Sequence, residues 1–168
     1  EATRNRGAEI GAGWAGSLTM GAGQFCTNPG IAVVAKGAEG DAFVAAAKEA
    51  LEQVGPQVML TDGIAKAYRD GKERFTGRNA VRALLSNDSE GRSAQPNLFE
   101  TDAETYLQDH ALGEEVFGPL GLVLRVSSGD EMQKLAKETG LGNILPPGTD
   151  MSRDLITRMK DVASESRL

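Results

Sequence analysis

The chain has 168 residues, 40% of them hydrophobic and 25% charged, with a formal net charge of -6. That length suits one domain, since domains cluster around ~100–150 residues, and the composition is that of a globular protein rather than a disordered or membrane chain. The acidic balance argues against a nucleic-acid footprint, no apolar run approaches the ~20 residues that cross a bilayer, and the charged start EATRNRGAEI is not a signal peptide, so a cytoplasmic protein is expected.

In chain order, the first predicted element is a glycine-softened helix from about Thr3 to Leu18. Ala8, Ile10, Trp14, Ala15 and Leu18 recur at helical spacing, while Gly7, Gly11, Gly13 and Gly16 weaken the pattern. Ile31 to Ala35 is a short continuous apolar run between Pro29-Gly30 and Gly37, the pattern of a strand buried on both faces. Asp41 is a candidate N-cap for the next helix, whose Phe43, Val44, Ala47, Leu51 and Val54 keep a helical period up to Gly55-Pro56. A further helix follows from Asp62, with Ile64, Ala67, Tyr68 and Phe75. Val81 to Leu85 reads as a strand and Ser86 to Arg92 as a surface turn. Leu120 to Val126 is the clearest strand. Helical patterns over Asp130–Lys137 and Ser152–Val162 close the chain. Alternation of this kind implies an α/β architecture.

Two glycine-rich stretches compete to carry chemistry. Gly11-Ala12-Gly13-Trp14-Ala15-Gly16 matches the letters G-x-G-x-x-G of a dinucleotide-binding turn, with Glu39 at a plausible distance beyond it. That turn works only when an apolar strand delivers the chain into it, so that a pyrophosphate meets a helix N-terminus. Here the delivering segment is charged and glycine-broken, so small residues permitting close helix packing are the favoured reading.

The second stretch, Met20-Gly21-Ala22-Gly23-Gln24-Phe25-Cys26-Thr27-Asn28-Pro29-Gly30, holds the one cysteine of the chain. A lone thiol forms no internal disulfide and no thiolate-rich zinc site, which suits a reducing compartment. Gly21 and Gly23 allow close backbone approach, and Pro29-Gly30 turns the chain into the strand at Ile31, so Cys26 is expected at a helix-to-strand corner. An activated nucleophile and a buried, inert small hydrophobe both remain open on spacing alone.

The run Gly23-Gln24-Phe25-Cys26 resembles the nucleophile motif of the aldehyde dehydrogenase superfamily, and Glu114-Glu115-Val116-Phe117-Gly118-Pro119 resembles its second signature. Pro96-Asn97-Leu98-Phe99 is similar to the strand that precedes that signature in the family. Thr27-Asn28-Pro29-Gly30, Gly16 to Gly21 and Phe99 to Asp102 are similar to the branch holding α-ketoglutaric semialdehyde and NADP-dependent fatty aldehyde dehydrogenases. The resemblance covers most of residues 7–137.

It implies an open, mostly parallel sheet with flanking helices, of the catalytic-domain type and truncated. It also implies Cys26 as the nucleophile, with its own backbone N–H in the oxyanion hole. Glu115 is then the contact to the nicotinamide ribose and Phe117 the aromatic beside the nicotinamide. The expected reaction is oxidation of an aldehyde, such as a semialdehyde, to a carboxylic acid with NADP or NAD, and a homo-oligomeric full-length parent is expected. The family's coenzyme domain, general base and oxyanion asparagine have no counterpart here. The chain is therefore expected to be a fragment, weakly active or inactive alone, with little affinity for coenzyme. The alternative class is a catalytically silent module used for assembly or partner binding.

His110, the only histidine, sits beside Asp109 among charged residues and reads as a surface loop without a catalytic role. The acid pairs Glu114-Glu115 and Asp102-Glu104 lack the histidines or clustered carboxylates of a metal site, so no metal is expected.

Overall fold

The computed structural model describes residues 6–139. Within them the elements run α1 (Arg6–Thr19), β1 (Ile31–Ala35), α2 (Ala38–Glu52), β2 (Gln57–Val58), α3 (Asp62–Glu73), β3 (Arg82–Leu85), β4 (Ser93–Ala94), β5 (Asn97–Asp102), α4 (Ala103–Gln108), β6 (Leu120–Val126) and α5 (Gly129–Thr139). The main sheet has the order β1-β6-β5-β3. β6 runs parallel to both β1 and β5, in registers that pair Ile31 with Leu122 and Asn97 with Leu120, while β3 lies antiparallel to β5 at the edge. β2 and β4 form a separate short antiparallel ladder.

This is the α/β fold with an open, mostly parallel sheet that the alternating pattern predicts. β6 is central and paired on both edges, and only Arg125 of its seven residues is less than buried. Continuous apolar sequence is what such a strand requires, because both of its faces are covered. The pleat divides the core into two layers. Ala32, Val34, Leu98 and Val123 face α1 and α2, meeting Trp14, Leu18, Phe43, Ala47 and Leu51. Val33, Phe99, Leu122, Leu124 and Val126 face the other side, against Tyr68, Phe75, Tyr106, Met132 and Leu135.

β1 begins and ends where the sequence predicts, and α1 accounts for the predicted first helix from Arg6 onward; Thr3 to Asn5 and the pattern over 152–162 lie outside the described residues. Asp41 is not an N-cap. Gly37, at φ +122, opens the helix at Ala38, and Asp41 sits in the first turn, where its carboxylate meets Arg125 at 2.5 Å. The tight turn from β1 explains the earlier start, because Gly40 packs so closely on the Ala35 carbonyl that a Cβ would lie 1.9 Å from the oxygen. Thr61, one residue before the predicted start of α3, caps that helix by accepting from the Ile64 N–H at 3.1 Å. The short elements β2, β4 and α4 carry too few residues to show a period.

Candidate functional site

The cysteine loop begins where α1 stops. The Thr19 hydroxyl donates back to the Ala15 carbonyl at 2.9 Å, and the chain then makes a 3-10 turn over Met20–Gly23. Gly21, Ala22 and Gly23 all adopt left-handed φ values, of 58°, 58° and 66°. An L-residue there costs roughly 1–2 kcal/mol, which two glycines avoid and the buried Ala22 bears. Gly23 answers a second demand. A Cβ at this position would lie 2.3 Å from the carbonyl carbon of Gly118, so the backbone of the cysteine loop rests directly on the backbone of the second signature.

Past Gly23 the chain turns tightly, closed by the Asn28 N–H donating to the Phe25 carbonyl at 3.0 Å, with Cys26 inside the turn. Side chains pin the loop on both sides. Gln24 donates to the Gly21 carbonyl at 3.0 Å and accepts from the Leu60 N–H at 2.9 Å. Asn28 donates to the carbonyls of Leu18 at 2.8 Å and Gly23 at 3.2 Å, and the Trp14 indole donates to the Pro29 carbonyl at 2.9 Å. The thiol therefore stands on the expected helix-to-strand corner. It is exposed, which removes the reading of Cys26 as a buried small hydrophobe.

The second signature forms the loop that leads into β6. Gly118, at φ +151, lies against the ring of Tyr68, where a Cβ would come within 2.2 Å. The Tyr68 hydroxyl donates to the Gln95 carbonyl at 2.6 Å and accepts from the Asn97 amide at 2.7 Å, with the Pro119 carbonyl at 3.3 Å. Burial pushes the Tyr68 phenol well above its usual range, so the ring stays neutral beneath the loop. The Arg74 guanidinium spans the Glu114 carboxylate at 2.8 Å and the Glu115 carbonyl at 3.2 Å.

A cavity of about 250 Å³ opens where the two loops meet. Ile31, Phe75, Leu112, Leu120 and Leu122 supply apolar lining, and Asn28, Glu114, Glu115 and Phe117 add polar and aromatic groups. An apolar wall with a few oriented polar groups is the usual make-up of a small-molecule site. Glu115 and Phe117 thus share one cavity. Cys26 itself does not line it, but stands on the loop whose flanking Gly23 and Asn28 do. Among the described residues no hydrogen bond or ion pair holds the Glu115 carboxylate, and Glu115 is exposed.

The competing glycine run lies inside α1 rather than at a strand-to-helix turn. Gly11 packs on the Phe43 carbonyl of α2, and Gly13 and Gly16 face open space, so no phosphate cradle forms and close packing explains only part of the run. Glu39 lies in the first turn of α2. His110 is exposed beside Asp109, whose side chain pairs with Arg78 and accepts from the Ala111 N–H. Asp102 caps α4 through the Thr105 N–H, and this hydrogen bond holds its carboxyl below the usual range. Among the described residues no three of His, Cys, Asp and Glu are grouped to hold a metal ion, and no helix is long and apolar enough to cross a membrane. Tyr68 and Arg74 support the second loop without any local signal in the sequence, because each acts on residues more than 20 positions away.

No family model matches the chain. It is 38% identical over 132 residues to alpha-ketoglutaric semialdehyde dehydrogenase 2 of Azospirillum brasilense, covering 77% of this chain and 25% of that protein. To the alpha-ketoglutaric semialdehyde dehydrogenase of Acinetobacter baylyi it is 33% identical over 129 residues, covering 75% and 24%. The chain thus spans about a quarter of the length of these relatives. Among solved structures, it superposes on gamma-glutamyl-gamma-aminobutyraldehyde dehydrogenase from Burkholderia cenocepacia with a TM-score of 0.72 at 18% identity, over 90% of this chain and 33% of that one. An NAD-dependent aldehyde dehydrogenase from Sinorhizobium meliloti gives 0.71 at 20% identity, over 90% and 32%. The NADP-dependent glyceraldehyde-3-phosphate dehydrogenase from Bacillus halodurans gives 0.68 at 21%, over 89% and 33%. At these identities the superpositions speak for the fold.

Proposed function

This chain belongs to the aldehyde dehydrogenase superfamily, and from that premise we propose that it is the thiol-bearing part of an enzyme that oxidises an aldehyde to a carboxylic acid with NAD(P)+. Cys26 is the nucleophile in this reading, and a semialdehyde such as α-ketoglutaric semialdehyde is the substrate. The observation that carries it is the contact of Gly23 on Gly118, which joins the exposed thiol's loop and the Glu115–Phe117 loop around one cavity.

The Cys26 thiolate adds to the aldehyde carbon, forming a C–S bond and placing the negative charge on the former carbonyl oxygen. In this reading the backbone N–H of Cys26 donates to that oxygen, and one such donor is worth about 3–4 kcal/mol in the transition state. Collapse of the adduct leaves a thioester on Cys26, which water cleaves to the carboxylic acid and the free thiol. NAD(P)+, when bound, supplies the acceptor for the hydride lost in that collapse.

The described residues fit the nicotinamide end of such a coenzyme and little more. Phe117 offers an aromatic wall and Glu115 a carboxylate able to accept from ribose hydroxyls, but the glycine run that could have cradled phosphates is interior to a helix. In this reading the rest of the coenzyme site, the general base and a second oxyanion donor come from outside the described residues. A positioned general base contributes ~10²–10⁴-fold, so the isolated chain should turn over poorly and bind coenzyme weakly.

The test is alkylation of Cys26 by iodoacetamide between about pH 5.5 and 9.5, followed by intact mass spectrometry. A nucleophile should react with a midpoint well below the ~8.5 of a free thiol. An ordinary midpoint would favour the silent-module reading instead.

A further inference from the structure

We propose that Asn28 is the positioning residue of the cysteine loop, setting where the Cys26 thiol stands relative to the cavity; the inference rests on the nucleophile reading of Cys26. The loop from Leu18 to Asn28 leaves α1, passes through three left-handed residues and returns to start β1. One side chain closes it. The Asn28 amide donates to the carbonyl of Leu18, at the end of α1, and to that of Gly23, the last left-handed residue.

Both partners are acceptors, so the nitrogen rather than the oxygen of the amide must face them. Aspartate has the same shape but would present oxygen to two carbonyl oxygens, and alanine would leave both carbonyls without this donor. Two further contacts give the staple its reach. The Asn28 backbone N–H donates to the Phe25 carbonyl, so the same residue closes the tight turn that holds Cys26. The Gly23 it grips also rests on Gly118, so the staple ties the thiol's loop to the loop of Glu115 and Phe117. Gln24 pins the opposite side of the turn to Leu60, so the thiol stands between two amide anchors, and only that of Asn28 reaches the cavity.

The experiment compares the chain with Asn28→Ala and Asn28→Asp, and with Asn28→Ser should the alanine variant fail to fold. For each, the midpoint of Cys26 alkylation against pH, amide exchange over residues 24–27 and the melting temperature are measured. The expected result is a shift of the midpoint in the same direction in the neutral and acidic variants, changing the rate at pH 7 about threefold or more. Exchange at residues 24–27 should quicken about tenfold while the melting temperature falls by only a few degrees.

Unchanged alkylation and exchange in the neutral variant would overturn the proposal. So would a shift confined to Asn28→Asp, which would be the effect of a new charge two residues from the thiol. The unmodified chain's own midpoint separates the two readings. An ordinary value counts against Cys26 as a nucleophile, whereas the comparison among variants still tells whether Asn28 sets the loop.

Discussion

Two glycine-rich stretches lie within twenty residues of each other and do unlike work. In α1 the glycines are interior to a helix, and of those in the G-x-G-x-x-G match only Gly11 meets a neighbour closely, with the Phe43 carbonyl oxygen 2.3 Å from where a Cβ would sit. In the cysteine loop, Gly21 and Gly23 hold left-handed backbone, and Gly23 also fills a gap that admits no side chain against Gly118. A glycine motif is therefore informative about chemistry only through the backbone geometry and the close approach it serves. The letters that match the better-known pattern describe a helix surface, and the less regular pair shapes the site.

The largest effect should come from Gly23→Ala, which combines a left-handed L-residue with overlap against the backbone of Gly118. It should cost about 3–4 kcal/mol in a denaturant titration and disturb Cys26 alkylation. A loss under ~1 kcal/mol would mean that the two loops are not interlocked. Gly11→Ala should cost less, about 2 kcal/mol, because the gain in helix propensity offsets part of the clash with α2.

Tyr68→Phe removes the hydroxyl beneath Gly118 and takes one of two hydrogen bonds from the Asn97 amide and from the Gln95 carbonyl, which keep each other at 3.0 Å, for a loss of about 1–2 kcal/mol at neutral pH. Because folding holds the phenol above its ordinary value near ~10, it favours the neutral ring. That contribution is complete below about pH 10 and is lost as pH rises from there toward the raised native value. Stability curves of the parent and the phenylalanine variant should therefore converge in strong alkali, and parallel curves would count against the buried network. The smallest effect has the opposite sign. Gly13→Ala, with nothing within 4 Å of the new Cβ, should stabilise α1 by up to ~1 kcal/mol and leave Cys26 unaltered.

Much of the fold was legible locally because its signals are local. The apolar runs at Ile31–Ala35 and Leu120–Val126 have the length and continuity of strands covered on both faces, and they became two of the parallel strands of the sheet. Asp41 was misread because an acidic residue ahead of an apolar period looks alike as a cap and as a first-turn residue. The distinction lay in Gly37 and Gly40, whose roles depend on the strand they leave. The candidate site rests on a different kind of reading. Cys26, Glu115 and Phe117 are expectations from resemblance in two short motifs about ninety residues apart, and nothing in their spacing says that the two loops touch, as they do through Gly23 and Gly118.

What the sequence by itself determined is the class of fold, the principal elements and the family to which the loops belong, because hydrophobic periodicity, turn residues and motif letters are properties of adjacent positions. Only the tertiary structure decided that Gly23 lies on Gly118, that Tyr68 and Arg74 both hold the second loop, and that Asn28 closes the first. Those contacts join segments distant in the chain. They follow from sheet register and from the exclusion of volume between packed backbones, neither of which is written in any local stretch of residues.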